Sequence, residues 1–151
     1  MTEISIQREP FDVAGEIARL TQGLAGRAGA VVTFTGLCRD EAGRLAGLEL
    51  EHYPGMAEAE IGRVVATARE RWPLQAARVI HRHGLVRPGE GIVLVVTASS
   101  HRVAAFEAAS FLMDYLKTRA PFWKREHLKD GTVGGWVEAK SQDDEAIERW
   151  G

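Results

Sequence analysis

Apolar residues recur along the chain with two different periods, and the changes of period delimit the predicted elements. Three segments place apolar residues three and four positions apart, which is the spacing of one face of a helix. The predicted helices are 13–26, 56–72 and 101–119. Alternating or β-branched segments bounded by turn residues predict strands instead. Six or seven strands are predicted, near 4–6 and at 29–36, 45–53, 75–84, 91–99, 122–128 and 132–139.

The ends of the predicted helices carry residues that start or stop helices. Asp12 is a good N-cap for the first helix, and either Ser99 or Ser100 can cap the third. Pro121 disfavours helical geometry at Ala120, so the third helix is expected to end just before them. Because helices and strands are interleaved without the spacing of regular βαβ units, an α+β fold with a mixed sheet and three main helices is predicted.

Length and composition fit one globular domain. The chain has 151 residues, of which 45% are hydrophobic and 26% charged, an ordinary balance for a folded protein. We expect one domain over 1–140, followed by an acidic segment, 141–151, that forms a short helix or a loose tail. The longest apolar stretch, 91–98, falls well short of the about 20 residues that cross a membrane.

Charge and cysteine content exclude further classes of protein. The net charge of −2 gives no electrostatic basis for binding nucleic acid or an anionic membrane. The first residues lack the apolar core of a secretory signal, so a cytoplasmic protein is expected. A single cysteine, Cys38, cannot form an intrachain disulfide. It has no evident base nearby, so an inert thiol is expected despite the neighbouring Arg39.

Lysine is rare in this chain and confined to its C-terminal part. Of the 19 basic residues 15 are arginines, and the lysines are Lys117, Lys124, Lys129 and Lys140. A lysine in an arginine-rich chain suits a position where a compact amine that can lose its proton matters. Chance clustering of four residues is the alternative.

Lys117 and Lys124 flank the predicted end of the third helix and are the leading candidates for chemistry. Lys117 lies off the main apolar face, in a stripe with Phe106 and Met113, and an ordinary partly buried stripe with a snorkelling lysine is the alternative. Lys124 shares a face of the following extended segment with Glu126. Because the chain reverses between the two lysines, their amines can face each other, and neighbouring amines lower each other's proton affinity.

Two cations occupy the start of the third helix. His101 and Arg102 oppose the helix dipole there, at a cost of about 0.3–1 kcal/mol. A bound phosphate or carboxylate would turn this cost into a stabilisation, because the anion would attract both cations and the free N–H groups of the helix N-terminus. Elsewhere, His81 and His83 form an H-x-H pattern with too few ligands for zinc, so structural histidines are expected. No phosphate-binding glycine motif is present, and we expect no metal and no cofactor.

Five segments, in order, resemble the family of the large, catalytic subunit of molybdopterin synthase. They are TFTGLCRD (33–40), LELEHYPGMAEAEI (48–61), HRHGLVRPGE (81–90), SSHRVAAFEA (99–108) and DYLKTRAPFWKRE (114–126). The strings LEHYPGM and LKTRAPFWKRE are specific, and the resemblance covers roughly 3–140. It implies an α/β hammerhead joined to a further α+β portion.

The resemblance also implies an activity and partners. Enzymes of this family add two sulfurs to cyclic pyranopterin monophosphate (precursor Z) and open its cyclic phosphate, which gives the dithiolene of molybdopterin. The donor is the thiocarboxylated C-terminal Gly-Gly of a small ubiquitin-like subunit, whose tail enters a pocket of the large subunit. The family assembly is a homodimer of large subunits within a heterotetramer.

The resemblance also assigns candidate site residues, at the positions of this chain that match the functional residues of the family. Lys117 and Lys124 match the two lysines at the end of the tail. The positions matching the phosphate-binding residues are Arg39, His101 and Arg102, and those matching pocket-lining residues are Phe34, Met113 and Glu126. Lys140 stands where some members have arginine, which keeps the charge but loses bidentate geometry. Cys38 stands where valine is common.

The residue pattern leaves the chemical role of Lys117 open. A cationic lysine would stabilise negative charge on oxygen or sulfur near the terminal carbonyl of the tail. A neutral lysine could attack that carbonyl or move protons. The alternative function is a non-catalytic scaffold that binds a ubiquitin-like tail or a phosphorylated ligand. A small RNA-binding module is disfavoured by the net charge and by the lack of an RNP-like string.

Overall fold

The computed structural model describes residues 1–119, 122–137 and 146–151 of the chain. The helices and strands within these residues are, in order, β1 (Thr2–Gln7), α1 (Val13–Leu24), β2 (Ala30–Leu37), β3 (Leu45–His52), α2 (Met56–Arg71), β4 (Leu74–Arg82), β5 (Gly84–Val86), β6 (Gly91–Ser99), α3 (Arg102–Thr118) and β7 (Phe122–Leu128). All three predicted helices are present, each within two residues of its expected ends. This content confirms the predicted α+β class. None of the helices in these ranges is long and apolar enough to span a bilayer.

Four strands form a mixed sheet in the order β1-β4-β6-β2. β1 runs parallel to β4, whereas the other two pairs are antiparallel. The central strand β6 is buried on both faces: Val93 and Val95 pack in the core cluster with α2 and α3, and Leu94 and Val96 pack in the cluster with α1. A strand that is covered by helices on both sides needs no polar face, which explains the unbroken apolar sequence of β6.

The remaining three strands form a small antiparallel sheet in the order β5-β3-β7. Lys124 lies opposite Leu50 in β3, and Leu50 belongs to a small buried cluster beneath this sheet. Arg125 lies opposite Glu49 on the other face, with Arg125 Nε donating to Glu49 Oε1 at 2.8 Å. The predicted alternation along β7, with Lys124 and Glu126 on one face, is therefore confirmed.

The last residues of the chain pack against α2 and α3. Residues 146–148 form one helical turn, and the Trp150 ring lies 5.7 and 5.6 Å from those of Trp72 and Phe111. Trp150 Nε1 and Arg149 Nη2 both donate to Asp114 Oδ2, at 2.5 and 2.6 Å. The C-terminal residues thus contribute to the main core. The predicted domain boundary at residue 140 lies outside the described residues and stays a prediction.

Two strand predictions are wrong in detail. β4 ends at Arg82, and Gly84, with a φ of 83°, turns the chain into a short strand of the second sheet where a plain turn is predicted. Glycine tolerates this left-handed geometry, which other residues rarely adopt. The described part of 132–139 forms two isolated bridges, from Val133 and Val137, rather than a strand. The two glycines between these bridges have no side chains to pack.

The helix caps also differ in part from prediction. Asp12 occupies the N-cap position of α1, but its side chain makes no capping hydrogen bond. The N-cap of α3 is His101, not Ser99 or Ser100. The Ser99 hydroxyl instead donates to the Pro73 carbonyl oxygen at 2.9 Å, so it secures the end of β6. The first turn of α3 consequently has no side-chain cap.

Candidate functional site

A cavity of about 140 Å³ lies where the two sheets meet the C-terminal end of α3. β2, β4 and β6 of the first sheet, β3 and β7 of the second, and the last turns of α3 all contribute to its wall. Much of the wall is apolar, with Leu50 and Val93 among the contributing side chains. Four of the predicted site residues line this cavity: Phe34, Met113, Lys117 and Lys124.

The two candidate lysines reach the cavity from different elements. Lys117 is in the last turn of α3, where a cation also complements the helix dipole. Lys124 lies on β7, and its backbone exchanges two hydrogen bonds with that of Val137, at 3.1 and 2.7 Å. Both lysines therefore border the same space, as the sequence predicts, and their catalytic role stays a prediction.

Apolar side chains border the lysines. Met113 precedes Lys117 by one helical turn, so both side chains lie on the same side of α3. Phe34 reaches the cavity from β2, on the opposite wall. A Cβ atom at Gly36 would lie 2.7 Å from Val93 Cγ1 and 3.4 Å from Phe34 Cε1. Any side chain at Gly36 would therefore displace this wall of the cavity.

His81 also lines the cavity, although its H-x-H pattern predicts only a structural histidine. Its ring stacks on that of Phe122, with centroids 3.8 Å apart and planes 14° from parallel. Nδ1 lies 2.9 Å from the carbonyl oxygen of Arg82. Burial lowers the pKa of His81 to about 4, and the charge of Lys117 acts in the same direction. The H-x-H pattern marks this residue in the sequence. It does not show that His81 lies on the face of β4 that meets the C-terminal end of α3.

The three predicted phosphate-binding residues do not line this cavity. Arg39 follows β2, is exposed, and pairs with Glu41 at an Nη2–Oε1 distance of 3.4 Å. His101 and Arg102 are exposed at the opposite end of α3 from Lys117. At a rise of about 1.5 Å per residue, Arg102 lies ~22 Å from Lys117 along the helix axis. Within a single chain, the length of α3 therefore keeps His101 and Arg102 away from Lys117.

The two remaining predicted site residues are Glu126 and Lys140. Glu126 shares a face of β7 with Lys124, but it is exposed and does not line the cavity. Lys140 lies outside the described residues. The Cys38 thiol is 3% exposed, and burial raises its pKa, which disfavours the reactive thiolate. Within 1–119, 122–137 and 146–151, no three His, Cys, Asp or Glu side chains are grouped to hold a metal ion.

Comparison with known proteins identifies the class to which this fold and cavity belong. Residues 6–119 match the family described as MoaE protein. The molybdopterin synthase catalytic subunit of Mesorhizobium japonicum is 71% identical over 147 residues, which are 97% of this chain and 92% of that protein. The chain belongs to the MoaE family, and the resemblance stated from the sequence is confirmed.

Solved structures agree with this assignment. The MoaE protein of Burkholderia ambifaria superposes with a TM-score of 0.85 at 45% identity, covering 99% of this chain and 98% of that one. The molybdopterin synthase of Staphylococcus aureus superposes with a TM-score of 0.77 at 29% identity, covering 87% and 94%. The α+β architecture with its two sheets is therefore a property that this chain shares with its relatives.

Proposed function

We propose that this chain is the catalytic subunit of a molybdopterin synthase, a sulfurtransferase that acts on cyclic pyranopterin monophosphate. The observation that carries the proposal is the convergence of Lys117 and Lys124 on one cavity. The sulfur donor is the thiocarboxylated C-terminus of a small ubiquitin-like subunit. The close relative from Mesorhizobium japonicum, which carries this name, supports the same activity.

The charge and polarity of the cavity suit acyl–sulfur chemistry. Once the sulfur of the tail is bonded to the precursor, the tail carbonyl is a thioester, and attack on its carbon places negative charge on oxygen. Lys117 and Lys124 bring N–H donors to this space from two elements. Lys117 is exposed in the free chain, so a tail bound against apolar neighbours such as Leu50 and Val93 would have to exclude the water, which would strengthen the attraction between an ammonium group and an oxyanion.

The dimensions of the cavity suit a tail that ends in two glycines. Glycines have no side chains, so a Gly-Gly terminus needs less of this space than bulkier termini would. Trp123 lines this cavity and also a neighbouring open one that is lined by Tyr53 and Trp136. This second cavity extends an aromatic path outward for the preceding residues of the tail. We expect extended-peptide recognition, in which the tail contributes most of the affinity.

A second copy of the chain would account for the positions of His101 and Arg102. The large apolar residues of β2 and α3 that are exposed are Phe34, Leu37, Val103 and Phe106. They lie on β2, which is an edge of the first sheet, and on the helix packed beside it. An exposed patch of this kind indicates an interface, and the predicted homodimer would cover it. His101 and Arg102 start the same helix, so the second copy would carry them toward this side of the cavity.

Reconstitution with defined components tests the proposed function. The full chain is mixed with the thiocarboxylated small subunit and precursor Z, and molybdopterin is measured as its oxidised, fluorescent derivative. The control uses the small subunit with an ordinary carboxylate terminus. We expect product with the thiocarboxylate and none with the carboxylate. Binding of both partners without product would contradict the proposal and favour the non-catalytic scaffold.

A further inference from the structure

The orientation of the His81 ring is fixed by its neighbours in the cavity wall. His81 follows Val79 on the face of β4 that packs against α2 and α3, and it lies near the end of that strand. Its ring stacks almost parallel on Phe122, which also lines the cavity. The ring therefore has one edge held in the protein and keeps surface that borders the same space as Lys117.

The hydrogen bond of His81 determines which ring nitrogen carries the proton. Nδ1 lies 2.9 Å from the carbonyl oxygen of Arg82, and a carbonyl oxygen can only accept a hydrogen bond. Nδ1 must therefore be the protonated nitrogen of the neutral ring. The other nitrogen, Nε2, then has a lone pair that can accept a proton or a hydrogen bond.

The surroundings of His81 keep the ring neutral near pH 7. Burial, with a smaller contribution from positive charge on Lys117, His52 and His83, lowers its pKa to about 4. Lys124 lines the same cavity from β7. A neutral imidazole with a free lone pair beside two lysines has the form of a general base next to an oxyanion site.

We propose that His81 is the general base that activates the water which releases the small subunit after sulfur transfer. The proposal rests on the proposed function. In this step a thioester joins the terminal carbonyl carbon of the tail to the sulfur on the precursor. A water oxygen bonds to that carbon, and one proton of the water moves to His81 Nε2. The oxyanion that forms faces Lys117 and Lys124.

Collapse of this intermediate completes the step without any further reactant. The carbon–sulfur bond breaks, the sulfur leaves with the electron pair, and it takes the proton from Nε2. The products are a carboxyl group on the tail and a thiol on the precursor. No atom is oxidised or reduced, and the imidazole returns to its starting tautomer.

Other side chains fit this role less well. Among the described residues that line the cavity there is no carboxylate, and Glu126 is exposed outside it. A lysine must lose its own proton before it can accept another, and tryptophan N–H is a donor only. Among the residues described at this cavity, His81 is the one whose neutral form offers a basic lone pair.

Rapid-mixing mass spectrometry separates sulfur transfer from release of the small subunit. Wild-type chain, His81→Gln and His81→Ala are each mixed with thiocarboxylated small subunit and precursor Z, and intact masses are followed over one turnover. We expect both variants to form the covalent adduct of small subunit and precursor, and to release it about 100-fold or more slowly. Added imidazole should accelerate release in His81→Ala. The matched control is His83→Gln, two residues away and outside this cavity.

Each outcome bears on one proposal. Release at the wild-type rate in His81→Gln, with no accumulated adduct, would overturn the role of His81. Loss of adduct formation in both variants, without rescue by imidazole, would also overturn it and mark His81 as structural. If the wild-type chain itself forms neither adduct nor product, the proposed function fails, whatever the variants do.

Discussion

Lys117 and Lys124 border one cavity although they belong to different layers of the fold. Lys117 ends α3, which packs on the first sheet, whereas Lys124 lies in β7 of the second. They are only seven positions apart in the sequence. The cavity therefore lies between elements of both layers, and one lysine reaches it from each.

Lys117→Arg separates amine chemistry from charge. If Lys117 transfers a proton or acts as a nucleophile, arginine must fail almost as badly as alanine, because a guanidinium stays protonated in proteins. We expect this failure, measured as single-turnover conversion of precursor Z with both partners saturating. Near wild-type rates for Lys117→Arg would leave electrostatic stabilisation as the role of this residue.

Two other lysine variants calibrate that result. Lys124→Arg should lose less activity than Lys117→Arg, because Lys124 lies on an extended strand and shares its face with Glu126, a candidate charge partner for either cation. Lys129→Arg changes an exposed lysine in a turn and should have no measurable effect. Equal losses in all three variants would indicate a general effect of the substitution rather than a role for the cavity.

Arg102→Ala tests the phosphate-binding role of the start of α3. We expect precursor binding to weaken by about 1.5–3 kcal/mol, the range for a hydrogen bond to a charged group. The stability of the unliganded chain should be unchanged or slightly higher, because the variant removes a cation from a helix N-terminus. Calorimetry and thermal melting measure the two effects, with Arg63→Ala on α2 as the control. A large loss of melting temperature in Arg102→Ala would instead mark this arginine as structural.

Trp150→Ala tests whether the C-terminal residues belong to the main core. The variant removes contacts with Trp72 and Phe111 and the hydrogen bond to Asp114. We expect the free energy of unfolding, measured in urea, to fall by about 2–4 kcal/mol. Trp136→Ala, at a site 43% exposed, should cost less than about 1 kcal/mol. Similar small losses in both variants would show that the C-terminal residues do not stabilise the domain.

The stability of the chain should depend on pH through His81. Its pKa is about 4 in the folded chain, below the value of about 6.5 for an unfolded histidine. As pH falls below about 6.5 the unfolded chain binds the proton first, so stability is lost progressively toward pH 4. We expect this group to lower the free energy of unfolding by about 2 kcal/mol between pH 7 and pH 5. His81→Gln should remove that part of the slope and the exposed His101→Gln should keep it; identical slopes in His81→Gln and wild type would contradict this account.

Local sequence patterns predict the helices and strands better than they predict which strands pair with each other. The apolar run 91–99 and the alternation along 122–128 give the strands and their faces, since burial acts on each side chain where it lies. The same patterns do not show that the strands form two sheets. Between β4 and β5 the division falls at Gly84, where one glycine with positive φ redirects the chain.

The sequence predicts those parts of the candidate site whose residues are close together in the chain. Lys117 and Lys124 are close in sequence, so a chain reversal is enough to bring them together. His81 is distant in sequence and reaches the cavity because its strand face meets the end of α3. His101 and Arg102 are on the same helix as Lys117 but at its other end, and helix length alone keeps them apart within one chain.

The fate of the tail sulfur tests the central claim most directly. Intact-mass measurement follows the small subunit during one turnover with precursor Z and either wild-type chain or Lys117→Ala. For wild type, the account predicts that thiocarboxylate is converted to carboxylate as molybdopterin forms, with two sulfurs consumed per product. Lys117→Ala should bind the small subunit but leave its thiocarboxylate intact. Thiocarboxylate that persists with wild type, or that is consumed equally fast with Lys117→Ala, would contradict the assignment of sulfur transfer to this cavity.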